Sequence, residues 1–490
     1  MSIDLFDDED RKSIANFIRT ETDRLQYNKD IFTILGGNLK PLLEKRMLED
    51  LGSKSFSAAQ FRQAPINITR KVIDKLTRIY QNGVVRKVEG GNDADVKLMQ
   101  WYIDTLDLNS KFSKNNENFN AFLYALLHIG LTEPEFQDNP NPNFKKPFVR
   151  TIPNHQFLIM NISPTDPTSA DVIIVCMPKK RRADGAYDEI YYVYTREQFV
   201  IMNQAGEIRL DLMQEKEMDG VNGYGVNPFS YANASQDCAM PEIQTDTLDM
   251  ALLIPLLLTD LNYATKFQAF SVFVAIGLKN VKAELSPNSV IEFDVNPAAD
   301  KSSFETLKPT VDISEVLNLA ASQMSLWLSS KSVRPTVVAG DLGNDSFASG
   351  ISKIIDEADT FEALKWQITV YKNFEADFWE RLLKHMHPKW VAAGVIENKT
   401  IFSPGARVVT EFAKPVPMQT RGELVKDLDA ERAAGFISKE RALKKLNPDM
   451  TDEEIAKLLS EIDKETPVIT PMGGNGFGAE QGNPTQAFSA

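Results

Sequence analysis

The chain has 490 residues, 43% of them hydrophobic and 25% charged, the balance of a folded protein too long for a single core. Lys and Arg number 54 against 68 Asp and Glu, giving a formal charge of −14, which excludes a protein that coats nucleic acid through clustered cations. Two cysteines, Cys176 and Cys238, are too few for a disulfide framework or a cysteine-built zinc site, and fit a reducing intracellular setting.

Residues 1–19 are acidic and then mixed, which predicts no signal peptide. Helices are expected over 4–85: Leu5, Ile14, Phe17 and Ile18 open an amphipathic pattern, and PLLEKRMLEDL (41–51) keeps the helical period. INITRKVIDKLTRIY (66–80) places Ile66, Val72, Ile73, Leu76, Ile79 and Tyr80 on one side. Its rim of Arg70, Lys71, Lys75 and Arg78 reads as a solvated face. A helix carrying Leu98, Trp101, Tyr102 and Leu106 follows, and then FNAFLYALLHIGL (119–131), read as a further, almost wholly buried helical run.

From 147 the period changes to two. FVRTI, QFLIMNI, DVIIVCM, EIYYVYT and QFVIMN predict a small antiparallel sheet, with Asp184-Gly185 at a tight turn between two of them. DGVNGYGVNPFSYANASQ reads as loop. Residues 245–270 are helical and strongly apolar. The longest apolar run (250–258) is broken by Pro255 and falls far short of the ~20 residues a spanning helix needs. Three β-type segments (271–276, 289–295, 302–307) precede a second helix, 313–333. The loop TVVAGDLGNDSFASG (336–350) then opens a very long helix, with apolar residues stepping by three or four from 351 to 382. At ~1.5 Å per residue that helix is roughly 50 Å long. A strand in 400–417 and three short helices follow, with capping boxes at Thr420–Glu423 and Thr451–Glu454, and the Gly-, Pro- and Asn-rich tail from 466 lacks core-forming residues.

Catalytic signatures are missing. No phosphate-binding GxxxxGK[ST] loop and no GxSxG elbow occurs. His385 and His387 stand two apart on a helix, the wrong spacing to chelate, and His128 reads as a satisfied buried residue. The carboxylate runs start helices, where the helix dipole accounts for them. Ser346 and Ser349 have no nearby base and read as loop or cap residues. No catalytic residue, cofactor or metal site is assigned.

The order of elements resembles the portal proteins of tailed bacteriophages, the head-to-tail connector family. Three stretches carry it: PINITRKVIDKLTRIY (65–80); the helix, β segments and second helix leading to AGDLGNDSFASG (339–350); and AAGFISKERALKKLNPDMTDEEIAKLLSEIDKE (433–465). The resemblance implies an elongated α+β subunit of a ring, usually of twelve copies, at one capsid vertex. Carried over by position, 1–244 and 351–417 look like the wing and 245–270 with 313–333 like the stem. By the same carry-over, 271–312 look like the clip, 334–350 like the tunnel loop, 418–465 like the crown, and 466–490 remain a flexible tail.

The partners implied are double-stranded DNA in transit, the major capsid protein, the large terminase subunit and head-completion or tail-adaptor proteins, with assembly in the host cytoplasm and no membrane. Around the channel the expected residues are Val337, Val338, Leu342, Asn344 and Phe347, with Lys331 and Arg334 at the loop's start. Capping of the second stem helix is the other reading of those two cations. Lys279, Lys282, Glu292 and Asp294 are the expected clip contacts. The alternatives are another virion structural protein such as an adaptor, or an enzyme with a dispersed site.

Overall fold

A computed structural model describes residues 3–81, 83–132, 144–177, 180–181, 187–213, 219–269, 272–276, 278–282, 292–295, 303–307, 313–333, 350–413, 421–447, 450 and 452–465. The architecture is mixed α+β, as expected, and the chain divides into two compact units: 1–347 with 354–416, and 348–353 with 417–490.

The first unit opens with α1 (Asp8–Thr20), whose N-cap Asp7 accepts from the Glu9 and Asp10 amides, and α2 (Thr22–Leu35). Helix α3 (Lys40–Ala59) kinks at Gly52, where φ is 68°. Helix α4 (Ile68–Leu76) is capped by Asn67 and ends at Thr77, earlier than the pattern implied. Val72, Ile73, Leu76, Ile79 and Tyr80 are buried as expected, whereas Ile66 is exposed. Strand β1 (Val84–Glu89), which begins where the helical expectation ends and was not expected, leads to α5 (Asp93–Leu106) and α6 (Leu108–Phe122).

The run 119–131 is buried but does not stay helical. Leu123 takes a left-handed conformation (φ 65°), its N–H returns to the Phe119 carbonyl at 2.7 Å, and the chain leaves as strand β2 (Tyr124–Thr132). A β-run within an apolar stretch cannot be told from a helix by hydrophobicity alone.

Two sheets follow instead of one. Strand β2 sits between β3 (Lys146–Ile152) and β10 (Phe229–Asn233), the latter inside the stretch expected to be loop. The second sheet runs β4 (Phe157–Met160), β5 (Val172–Cys176), β8 (Ile190–Tyr194), β9 (Phe199–Asn203), all antiparallel. Between β5 and β8, β6 (Lys180–Arg181) pairs with β7 (Tyr187–Asp188) beside the expected turn, whose residues 182–186 lie outside the described ones.

Side-chain alternation stacks these layers. Leu158, Ile174, Val193 and Val200 face Ile14 and Ile18 of α1, while Phe157, Ile159, Ile173 and Val175 face Tyr124, Leu126, Ile152 and Phe229 of the other sheet. That sheet's opposite face, with Ala125, Leu127 and Val149, closes the largest core, shared with the long helix α9 (Gly350–Glu380). Leu364, Tyr371, Phe374 and Phe378 of its predicted stripe are buried there. The stripe continues through a π-helical turn, Arg381–Met386, and α10 (His387–Ala392). Strand β15 (Arg407–Phe412) then pairs antiparallel with β1, Val84 opposite Phe412.

A buried ion pair seals this core. Arg86 meets Glu375 at 2.6 and 2.9 Å with both side chains essentially inaccessible (2% and 0%), and Glu375 also accepts from Tyr80 (2.9 Å) and Thr410 (2.7 Å). Removing one partner leaves a buried charge uncompensated. Arg86→Met is therefore expected to lower unfolding free energy by about 3–5 kcal/mol, and Arg86→Met/Glu375→Gln to recover more than half of that in urea titrations.

The second unit holds α11 (Arg421–Ala433), α12 (Lys439–Leu446), capped by Ser438, and α13 (Asp452–Glu465), matching the three helices expected. The tail from 466 lies outside the described residues.

His128 is half-buried and not satisfied: its Nδ1 is buried without a partner among the described residues, and the ring stacks on Phe229 at 4.7 Å beside the edge of Phe148. Burial, with the Arg150 charge, presses its pKa down to about 3. His387 is held neutral as well. Its Nδ1 pairs with the Tyr102 hydroxyl (2.7 Å), its Nε2 reaches the Thr400 carbonyl (2.8 Å), and burial lowers its pKa. The unfolded chain takes up these protons below about 6.5 while the folded chain does not. Stability is therefore full above that pH and falls as pH drops toward 3. The urea midpoint is expected to decline from pH 7 to 5, and less steeply in His128→Phe.

Candidate assembly surface

Helix α7 (Thr245–Ala269) and helix α8 (Ile313–Ser330) form a hairpin whose far end carries β11 (Val272–Ile276), β12 (Leu278–Lys282), β13 (Glu292–Val295) and β14 (Ser303–Leu307). Strand β11 pairs with β14, and β12, which the sequence reading missed, pairs with β13. The strands expected to be isolated are thus two antiparallel ladders within one chain. Two-stranded ladders remain marginal by themselves.

Pro255 lies within α7 and cannot donate to the Ala251 carbonyl. Thr259 steadies the turn: its hydroxyl donates to the Pro255 carbonyl (2.6 Å) and accepts from the Ala64 amide (3.1 Å). The run 248–263 was expected to need cover from neighbouring chains. Helices of the same chain supply much of it: Ile34, Leu39, Leu43 and Met47 pack on Ala251, Leu252, Leu256 and Tyr263, and none of the described α7 leucines is exposed.

Among the described residues of the two hairpin helices, the exposed large apolar side chains are on α8. Trp327 and Leu328 are buried against Val72 and Leu76 of α4. On the outer side, Leu326 is 74% exposed and Leu319 49%; seven residues apart, they share one side of the helix. Leu317 is a further exposed leucine of this helix, at 45%. Single surface leucines are ordinary; the pair Leu319 and Leu326 on one side of the helix makes that side a candidate contact surface.

Of the anticipated channel residues, Lys331 is described. Helix α8 closes without its side chain, through Ser332 at φ 56° and the Val333 amide bonding the Leu328 carbonyl (2.9 Å). The Lys331 ammonium instead reaches the start of α7, 2.7 Å from Gln244 Oε1 and 3.0 Å from an Asp246 carboxylate oxygen, tying the two helices where they leave the body. Arg334, Val337, Val338, Leu342, Asn344 and Phe347 lie outside the described residues, as do Ser346 and Ser349. Among the clip residues, the strand register sets Lys279 opposite Asp294 and Lys282 opposite Glu292, with an irregularity between the pairs. Each cation position thus faces a carboxylate position, the stabilising cross-strand arrangement.

Among the described residues, no cluster of three His, Cys, Asp or Glu could hold a metal ion, and no helix is long and apolar enough to cross a membrane. Neither a family model nor a curated protein matches the sequence. Among solved structures, the chain is similar to one in a structure titled "Virion of native gene transfer agent (GTA) particle", with 11% identity over 81% of this chain and 94% of that chain and a TM-score of 0.32. At that level the likeness carries no argument.

Leu319 and Leu326 contribute little within one chain. Leu319→Glu/Leu326→Glu is expected to leave unfolding free energy within about 0.5 kcal/mol of the parent while shifting sedimentation from an assembly to a single chain.

Proposed function

We propose that this chain is a portal-type virion protein: copies close into a ring whose channel passes a double-stranded genome during packaging and ejection, and to which adaptor or tail proteins attach. The observation that carries the reading is the α7–α8 hairpin. It is an insertion between two stretches that share one core, 79–129 and 364–412. It bears paired strands at its far end and exposed leucines along α8. This is the order in which stem, clip and stem occur in the family the sequence resembles, with 1–244 and 351–417 as wing and 418–465 as crown.

In this role the chain makes and breaks no bond. The net charge of −14 suits a conduit, since a surface rich in carboxylates does not hold phosphates. Segment 334–350 would bring Val337, Val338, Leu342, Asn344 and Phe347 to the DNA, with Arg334 and the carboxylates Asp341 and Asp345 close by. Lys331 has its charge engaged by Asp246 and is left out of that contact. The capsid protein, the terminase and the adaptors are the implied partners, at the capsid vertex.

Deleting 340–347 tests the conduit. Particles are expected to assemble yet retain less packaged DNA, and unchanged packaging and retention would remove the segment from the mechanism.

A further inference from the structure

The ribbon of β1 and β15 is two-stranded, and among the described residues no strand pairs with the other edge of β15. The Ala413 amide bonds the Gly83 carbonyl, and in an antiparallel pair alternate residues exchange hydrogen bonds. Residues 411, 409 and 407 therefore bond to β1, while the main-chain groups of Val408, Thr410 and Phe412 point away from it. Among the described residues, no main-chain hydrogen bond outside the ribbon reaches those three.

Along this edge runs an open groove of about 490 Å³ between β15 and the C-terminal half of α9. Consecutive residues 407–411 line it, so it follows the strand's edge, not one of its faces. Trp379, Leu383 and Phe402 make it partly apolar. The indole N–H of Trp379 is buried without an acceptor.

The charges are asymmetric. On the strand, Glu411 is paired with Lys87 (2.7 Å) and Arg407 with Glu89 (2.7 Å). On the helical side, Lys372, Glu380 and Lys384 line the groove, and among the described residues none of the three has an ion-pair partner. Twelve residues at ~1.5 Å each separate the two lysines by about 18 Å, and six residues of extended chain span about 20 Å with both end side chains on one face.

We infer that this groove takes an extended peptide segment from a partner protein, added as a third strand on β15. The segment carries carboxylates about six residues apart for Lys372 and Lys384 and apolar residues between them for Trp379, Leu383 and Phe402. Strand addition draws affinity from main-chain hydrogen bonds and specificity from alternate side chains, and both are provided here. Nucleic acid fits poorly, because Glu380 and Glu411 would face its phosphates. The inference does not depend on the ring reading.

The probe is a fluorescein-labelled Asp-Thr-Val-Thr-Val-Thr-Asp peptide titrated with the full chain and followed by anisotropy. Saturable binding is expected, weakened at least tenfold by Lys372→Glu/Lys384→Glu, with both side chains outside the buried core so that the fold is kept. N-methylation of alternate peptide residues is expected to abolish binding in one phase and spare it in the other, because only alternate amides face β15. No binding up to about 1 mM overturns the inference, as does equal binding of the two methylated forms or indifference to the lysine changes. A change of oligomeric state in the lysine variant without peptide also overturns it, since the groove's occupant is then a second copy of this chain.

Discussion

Glu375 places a carboxylate inside the largest core, and Arg86, Tyr80 and Thr410 let it remain there. A carboxylate buried without partners would take up a proton or disrupt the fold. Held by a two-pronged guanidinium contact and two hydroxyls, it joins α9 to β1, β15 and the end of α4. The partners are 289 residues apart along the chain. The core can form only when the stretch after the hairpin returns to the stretch before it.

That return makes the region between 245 and 333 an excursion. Helices α2, α3 and α4 brace its base, with Lys331 to Asp246 as a clasp between the two hairpin helices. In the body the two sheets stack between α1 and the α9 core, each buried on both faces. A body that projects a hairpin with exposed leucines is suited to side-by-side assembly. The same body leaves the β15 edge open at its margin.

The helices were legible in the sequence where apolar residues recur at three and four, as in the stripe on α9, or where a long run is strongly apolar throughout, as in α7. Strands were legible where β-branched and aromatic residues alternate between turn residues, as in β5, β8 and β9. Leu123 was not, since nothing in its composition marks a left-handed residue inside an apolar run. Strands β1, β10 and β12 were missed for a related reason. VVRKVE, FSYAN and LKNVK are short or charged, and each becomes a strand through its partner: β15 for β1 and β2 for β10, both distant in sequence, and β13 for β12. The Glu375 pairing was invisible for the same cause. The exposed leucines of α8 could be read as apolar from the sequence, but which side of the helix the rest of the chain would leave uncovered could not.

The account depends on copies of this chain covering one another's α8 surfaces around a closed axis. Native mass measurement of the purified full-length chain, with electron microscopy of the same sample, tests this most directly. The account predicts one assembly of fixed copy number, seen end-on as a ring with a central channel wide enough for duplex DNA. A chain that remains monomeric at the concentrations of assembly, or that associates without a channel, would contradict it.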